Sequence, residues 1–264
     1  MIKIFGDLIL KRGCVLPCLL SLLLLASATV AAAHLSIAPA QEDAYSRGRE
    51  ILRKAVEAAG GVETFRNIKN FTIVTQNKIK GRQTTMLLKV TETILAPDKT
   101  RQVMELEQGT RVQVLNGRDS WKQINRDVSP LSSLEKKEMQ RGLFRDAIIL
   151  FSRFDSTDLE IKHFADETLG GVKYYVLQVK NQTGDFFKLY IDALTNLIYK
   201  KTYQGAAEAG LATLEEVYSD YKKVEGIQIP YHTIVRANGR QFIEAVVLEV
   251  RINSDLGGEF FYRK

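Results

Sequence analysis

Residues with side chains able to do chemistry are few and scattered. The three histidines are His34, His163 and His232. No His-Glu-x-x-His run or other close His/Glu pair is present, the spacing that sets two zinc ligands and a general base on one helix face. Ser133 with Lys136, and Ser219 with Lys222, have the Ser-x-x-Lys spacing, but the companion motifs that make it catalytic are missing. There is no Gly-x-Ser-x-Gly elbow, phosphate loop or dinucleotide fingerprint. Glu215, Glu216 and Asp220 form an acidic run. On a strand, however, adjacent residues point to opposite faces, so the run reads as a solvated strand edge. These residues assign no catalytic group, metal ligand or cofactor, and the expectation is a non-enzymatic protein. Serine, histidine and acid brought together by the fold would favour a hydrolase instead.

The N-terminus gives a compartment. Lys3, Lys11 and Arg12 stand against a single acid, Asp7, and precede an apolar run from Val15 to Val30. Ala31 and Ala33 then sit as an A-x-A exit before His34. A basic end, a greasy middle and a small-residue exit make a secretory leader over residues 1–33, with cleavage near Ala33 and a periplasmic product. The run is also long enough for a retained membrane anchor; its alanine-rich end favours cleavage. Cys18 precedes the leucine run instead of following it, which argues against lipidation. Both cysteines, Cys14 and Cys18, belong to the leader, so the mature chain has no thiol for a disulfide, metal site or nucleophile.

Of 37 basic and 31 acidic residues, three and one lie in the leader, leaving 34 against 30 and a net charge of +4. Lys and Arg alternate with apolar residues along the chain and form no concentrated basic stripe, so nucleic acid is not an expected partner. The remaining residues, 34–264, show no break in composition. They are expected to form one domain and to act as a monomer.

Two kinds of period position the side chains. After a short polar linker, Ala44, Gly48, Ile51, Leu52, Ala55 and Ala58 recur at helical spacing, and Gly60-Gly61 ends that helix. From Asn70 the period becomes two. Strands are joined by turn signals at Pro97-Asp98, Asn116-Gly117, Glu225-Gly226 and Asn238-Gly239. A second helix is expected from Leu134 to Phe154, capped by Ser132 or Ser133, with Glu135 and Glu138 favouring the helix dipole. Its end, Ala147-Ile148-Ile149-Leu150-Phe151, is apolar nearly all round and must be buried. The fold class is therefore mainly β: a large curled antiparallel sheet or half-open barrel of about eleven strands, covered by a few helices.

Such a sheet can enclose more space than its side chains fill. Candidate cavity walls are Met86, Leu88 and Val90; Leu177 and Val179; Phe187, Leu189 and Ile191; Ile227 and Ile229; and Val246, Leu248 and Val250. The candidate lid is Ile148, Leu150 and Phe151. A fully packed interior would instead make the chain an interaction module of the cell envelope.

Several segments resemble the periplasmic lipoprotein-carrier and lipoprotein-sorting (LolA/LolB-like) superfamily. Ala58-Ala59-Gly60-Gly61-Val62 through Phe65, Ile68 and Phe71 is similar to the family's passage from first helix to first strand. Ala96-Pro97-Asp98-Lys99-Thr100-Arg101, followed by Val114-Leu115-Asn116-Gly117-Arg118-Asp119-Ser120-Trp121, resembles its proline-to-arginine strand start and later Gly/Trp turn. Tyr190 to Ile198 resembles one of its hairpins, and Tyr221 to Pro230, with Gly226 and Pro230, resembles a further segment of the family. The strand Arg101 to Leu106 departs from the carrier's aromatic-rich pattern. The resemblance implies acyl chains of lipids or lipoproteins as ligands, and a membrane-bound donor or acceptor protein as partner.

Overall fold

The computed structural model describes residues 39–263, apart from 82–83, 108 and 208–209. The leader and His34 lie outside the described residues. The chain runs α1 (Pro39–Ala59), α2 (Val62–Arg66), β1 (Asn70–Lys80), β2 (Thr85–Leu95), β3 (Lys99–Leu106), β4 (Gly109–Leu115), β5 (Trp121–Ile124) and β6 (Asp127–Pro130). It continues with α3 (Ser133–Arg145), α4 (Ala147–Ser152), β7 (Leu159–Leu169), β8 (Val172–Asn181), β9 (Phe186–Asp192) and β10 (Ile198–Ala207). The last strands are β11 (Gly210–Val224), β12 (Ile227–Ala237) and β13 (Arg240–Ile252).

All thirteen strands join one antiparallel sheet in the order β6-β5-β4-β3-β2-β1-β13-β12-β11-β10-β9-β8-β7. Every neighbour pair is a hairpin except β1–β13, which closes the middle of the sheet. The two edges, β6 and β7, are not paired with each other, so the barrel stays open. The described residues hold thirteen strands where about eleven are expected. The short β6 carries no sequence period of its own and is held by its register with β5, Trp121 opposite Pro130.

The helices lie on one sheet face. The central core joins Leu52, Ala55, Val56 and Ala59 of α1, Phe65 of α2 and Ile148 to Phe151 of α4 to alternate strand residues such as Leu177, Phe187 and Ile227. Phe65 meets Phe151 edge-on at 5.2 Å, and Phe144 meets Phe187 at 5.1 Å. Helix α1 starts at Pro39 and absorbs the expected linker, since proline is accepted in a first helical turn. The expected single helix from Leu134 to Phe154 is two. Asp146 ends α3 in extended conformation and then caps α4, accepting from the Ile149 N–H at 2.9 Å. Ser132 caps α3 in a reciprocal box with Glu135.

Helix α1 crosses edge strand β7 at Gly48. A Cβ there would lie 2.7 Å from both the His163 nitrogen and the Ile161 oxygen, which are main-chain atoms with no freedom to turn aside. Arg49 fastens the same crossing through the Phe154, Ser156 and Leu159 carbonyls, the last at 2.7 Å. In an open helix Gly→Ala gains about 1 kcal/mol. Gly48→Ala is expected to lose about 1–2 kcal/mol instead, because overpacking outweighs propensity. Urea unfolding of the pair checks the sign.

Candidate functional site

A cavity of about 380 Å³ lies between the helices and the sheet. It falls within the roughly 300–1,000 Å³ usual for small-molecule sites. One end is apolar: Ala55 and Ala59, Phe65, Ile148 and Phe151, with Ile94, Ile198 and Ile229 from the sheet. The other end is polar, and its side chains face inward from strand centres.

That polar end is a bonded network. Lys201 of β10 and Glu216 of β11 are direct cross-strand partners, with Nζ 3.1 Å from the carboxylate. The hydroxyls of Tyr203 and Tyr218 donate to Glu216 at 2.6 and 2.7 Å. Lys201 Nζ also donates to the Arg145 carbonyl at 3.1 Å, which ties the end of α3 to the sheet. The Arg145 guanidinium lies 4.0 Å from the centre of the Tyr203 ring. Burial works to raise the Glu216 pKa, but Lys201 and the two hydroxyls outweigh it and hold the group below its usual value. The same burial and the nearby carboxylate push both tyrosines up. On β2, Glu92 accepts from Gln102 at 2.8 Å and from Thr100 at 3.2 Å.

Asp146 also faces the cavity. Burial, reinforced by Glu92, raises its pKa from 3.8 to about 6, against the opposing pull of the Ile149 N–H and Lys201. It is one of the residues that line the cavity. The folded protein therefore keeps this proton between about pH 4 and 6, where the unfolded chain has lost it. The stabilisation from this group is complete below about pH 4, falls as pH rises, and is gone above about pH 6. Asp146→Asn keeps an acceptor for the α4 cap and removes the charge. It is expected to raise stability at neutral pH by about 1–2 kcal/mol, discounted for the water the cavity admits, and to flatten that pH dependence. Melting temperatures between pH 4 and 7 check this.

The sixteen residues expected around a cavity separate into groups. Ile148, Phe151 and Ile229 line it. Leu150, Leu177, Val179, Phe187, Leu189, Ile191 and Ile227 are buried in the packed core beneath the helices. Leu88 is buried, Val90 half-buried, and Val250 half-buried against the core. Met86, Val246 and Leu248 are 38%, 43% and 55% exposed. Met86 lies at the β1–β2 hairpin end. For β13 the reason is a bulge. Val74 pairs with Glu249 but Thr75 with Val247, so Leu248 is an extra residue and the inward face passes to Val247, which does line the cavity. Glu216 is corrected from solvated edge to inward anion, while Glu215 turns to the opposite face and pairs with Lys200 and Arg236.

The outer face brings Ser219, His232 and Glu244 together. Ser219 Oγ is 3.1 Å from His232 Nδ1, and His232 Nε2 is 3.1 Å from Glu244. These are the residue types of a hydrolytic triad. They sit on three adjacent strands, Ser219 is exposed, and none of the three lines either the cavity above or the outer-face pocket described below. Serine, histidine and acid do converge here, but neither pocket sets a substrate-sized space beside them, and the trio reads as a cross-strand surface cluster. His163 bonds Asp166 at 2.7 Å. Among the described residues no group of three His, Cys, Asp or Glu side chains could hold a metal ion.

No protein-family profile and no curated protein sequence matches the chain. Solved structures do match. A LolA superfamily protein from Nitrosomonas europaea is similar at 15% identity, with 82% of this chain and 97% of that one covered and a TM-score of 0.58. A domain assigned to outer membrane lipoprotein sorting from Vibrio parahaemolyticus matches at 13% identity over 82% and 97%, TM-score 0.52. A DUF1329 family protein from Desulfovibrio piger matches at 12% over 83% and 97%, TM-score 0.57. The chain has a LolA-like fold.

Proposed function

We propose that this protein is a non-enzymatic periplasmic carrier or sensor that holds an acyl chain of a lipid or lipidated protein in the cavity under α4. The observation that carries the reading is that cavity, apolar at one end and polar at the other, between an open sheet and a short helix buried on every side. An acyl chain would find the apolar end, where burial is worth about 25 cal/mol per Å². A headgroup or amide would meet the hydroxyls and charges around Glu216. The similarity to a lipoprotein-sorting fold supports the reading without identifying a cargo. Among the described residues no helix is long and apolar enough to cross a membrane. We further propose that residues 1–33 are removed on export, that the remainder works as a monomer, and that a membrane-bound protein loads or unloads it.

Native mass spectrometry tests this directly. The exported protein, with its N-terminus at or near His34, is mixed with an envelope lipid extract and sprayed intact. Adducts of acyl-lipid mass, displaced by a competing fatty acid, are the expected result. A spectrum of bare protein, with no binding of any fatty acyl probe in solution, would sink the carrier.

A further inference from the structure

The outer face carries a second pocket, of about 560 Å³, at the opposite surface of the sheet from the helices. The chain after β13 folds back over strands β3 to β5 and buries Phe261 against Val112, Val114 and Trp121. The Trp121 indole N–H donates to the Phe261 carbonyl at 3.3 Å. Beside this contact the pocket opens, walled by Trp121, Val128, Phe260 and Tyr262 and floored by Arg101. The backbone at Gly257 and Gly258 leaves open space where side chains would stand.

Arg101 is the odd group here. Its partners across the sheet are Thr93 and Val114, and its guanidinium lies 5.1 Å from the centre of the Phe260 ring. Among the described residues no carboxylate pairs with it, although Glu259 lines the same pocket. Burial alone disfavours its charge, with no acid to offset the loss of water. Arg263 joins it at the pocket, so two cations meet one acid there, and Lys99 lies 5.9 Å from the ring of Tyr262, one of the pocket walls. A guanidinium is a fixed fork of N–H donors that matches carboxylate and phosphate oxygens in pairs. Aromatic walls beside the fork suit an apolar body attached to the anion.

We propose that this pocket binds an oxyanion, carboxylate or phosphate, carried on an apolar body, with Arg101 gripping the anion and Trp121, Phe260 and Tyr262 holding the body. The site is separate from the helix-covered cavity and does not depend on what that cavity carries. A lipid headgroup and a soluble aryl or acyl anion share this chemistry.

Trp121 is the only tryptophan in the chain, so its fluorescence reports this pocket alone. The full exported protein is titrated with phenyl phosphate and with benzoate. A saturable change is expected, weakened at least about tenfold in Arg101→Gln, the size of one lost charged hydrogen bond. Arg263→Gln, on an exposed residue, should weaken it less and keeps the test open if Arg101→Gln folds poorly. Phosphatidylglycerol vesicles that sediment the protein, when phosphatidylcholine vesicles do not and Arg101→Gln abolishes it, identify a lipid headgroup. Phenyl phosphate binding without vesicle binding identifies a soluble anion. No response to either small anion at millimolar concentration, or equal affinity in both variants and the wild type, overturns the proposal.

Discussion

Lys201→Met is expected to lower the unfolding free energy by about 3–5 kcal/mol, the range for removing one partner of a buried ion pair. The loss comes from what stays behind. Glu216 would keep its two tyrosine donors, at 2.6 and 2.7 Å, but lose the cation paired with it. The Arg145 carbonyl would lose the Lys201 ammonium that ties α3 to the sheet. Pairing the change with Glu216→Gln separates these effects. Lys201→Met/Glu216→Gln should be more stable than Lys201→Met alone, since an amide tolerates the site and still accepts from a tyrosine. Urea unfolding of the four proteins measures the coupling. A loss below about 1 kcal/mol for Lys201→Met would mean that the pair is as solvated as a surface one. The pH dependence has a fixed sign. Glu216 is held below its usual pKa, so its contribution is present above the unfolded carboxylate range and lost as pH falls through the folded value.

Periodicity made the framework readable and hid the site, for one physical reason. Apolar alternation reports which face of a strand is buried, and most of the sheet obeys it: Leu177 and Val179, then Phe187, Leu189 and Ile191, all point under the helices. Hairpins were legible where the turn requires φ > 0 at both central residues, as at Asn238 (φ 48°) and Gly239 (φ 81°). Asn116-Gly117 looks the same in sequence but becomes a short 3₁₀ turn, with Asn116 at φ −150°, ψ 65° and Ser120 accepting from its N–H. The bulge at Leu248 was invisible because one inserted residue reverses the face of everything beyond it without changing the pattern. The polar network was missed because inward charges look like outward ones until the partner strand is known. Lys201 lies opposite Glu216 and Tyr203 opposite Leu214 only by the β10–β11 register. One signal was available: Glu92 interrupts the apolar face of Leu88, Val90 and Ile94, and its carboxylate does stand in the cavity. Asp146 could be found only by seeing that an all-round apolar segment must be a separate buried helix needing its own cap.

Ile148→Ala is expected to lower the stability of the empty protein by about 2–4 kcal/mol and to leave acyl binding equal or tighter. The first part follows from burial. Ile148 is 6% exposed in the central core and also forms cavity wall, so truncation removes packed methyl groups and enlarges a void that the backbone cannot close. The second part rests on the proposed carrier role. Helix α4 is only six residues long, and its hold on the sheet is the apolar side chains Ile148 to Phe151, with Phe151 edge-on to Phe65. If an acyl chain takes the place of those side chains, helix and ligand compete for the same apolar surface. The measured affinity is then the intrinsic one reduced by the fraction of molecules already open. Weakening the closed state raises that fraction. Phe187→Ala is the control. It sits in the packed core beneath α3, does not line the cavity, and should destabilise by a similar or larger amount, about 3–5 kcal/mol, without tightening binding. Melting temperature and displacement of a fluorescent fatty acid, measured on both variants, read the two effects. Loss of affinity in Ile148→Ala with an unchanged melting temperature would mean that Ile148 contacts the ligand and does not hold the cavity shut.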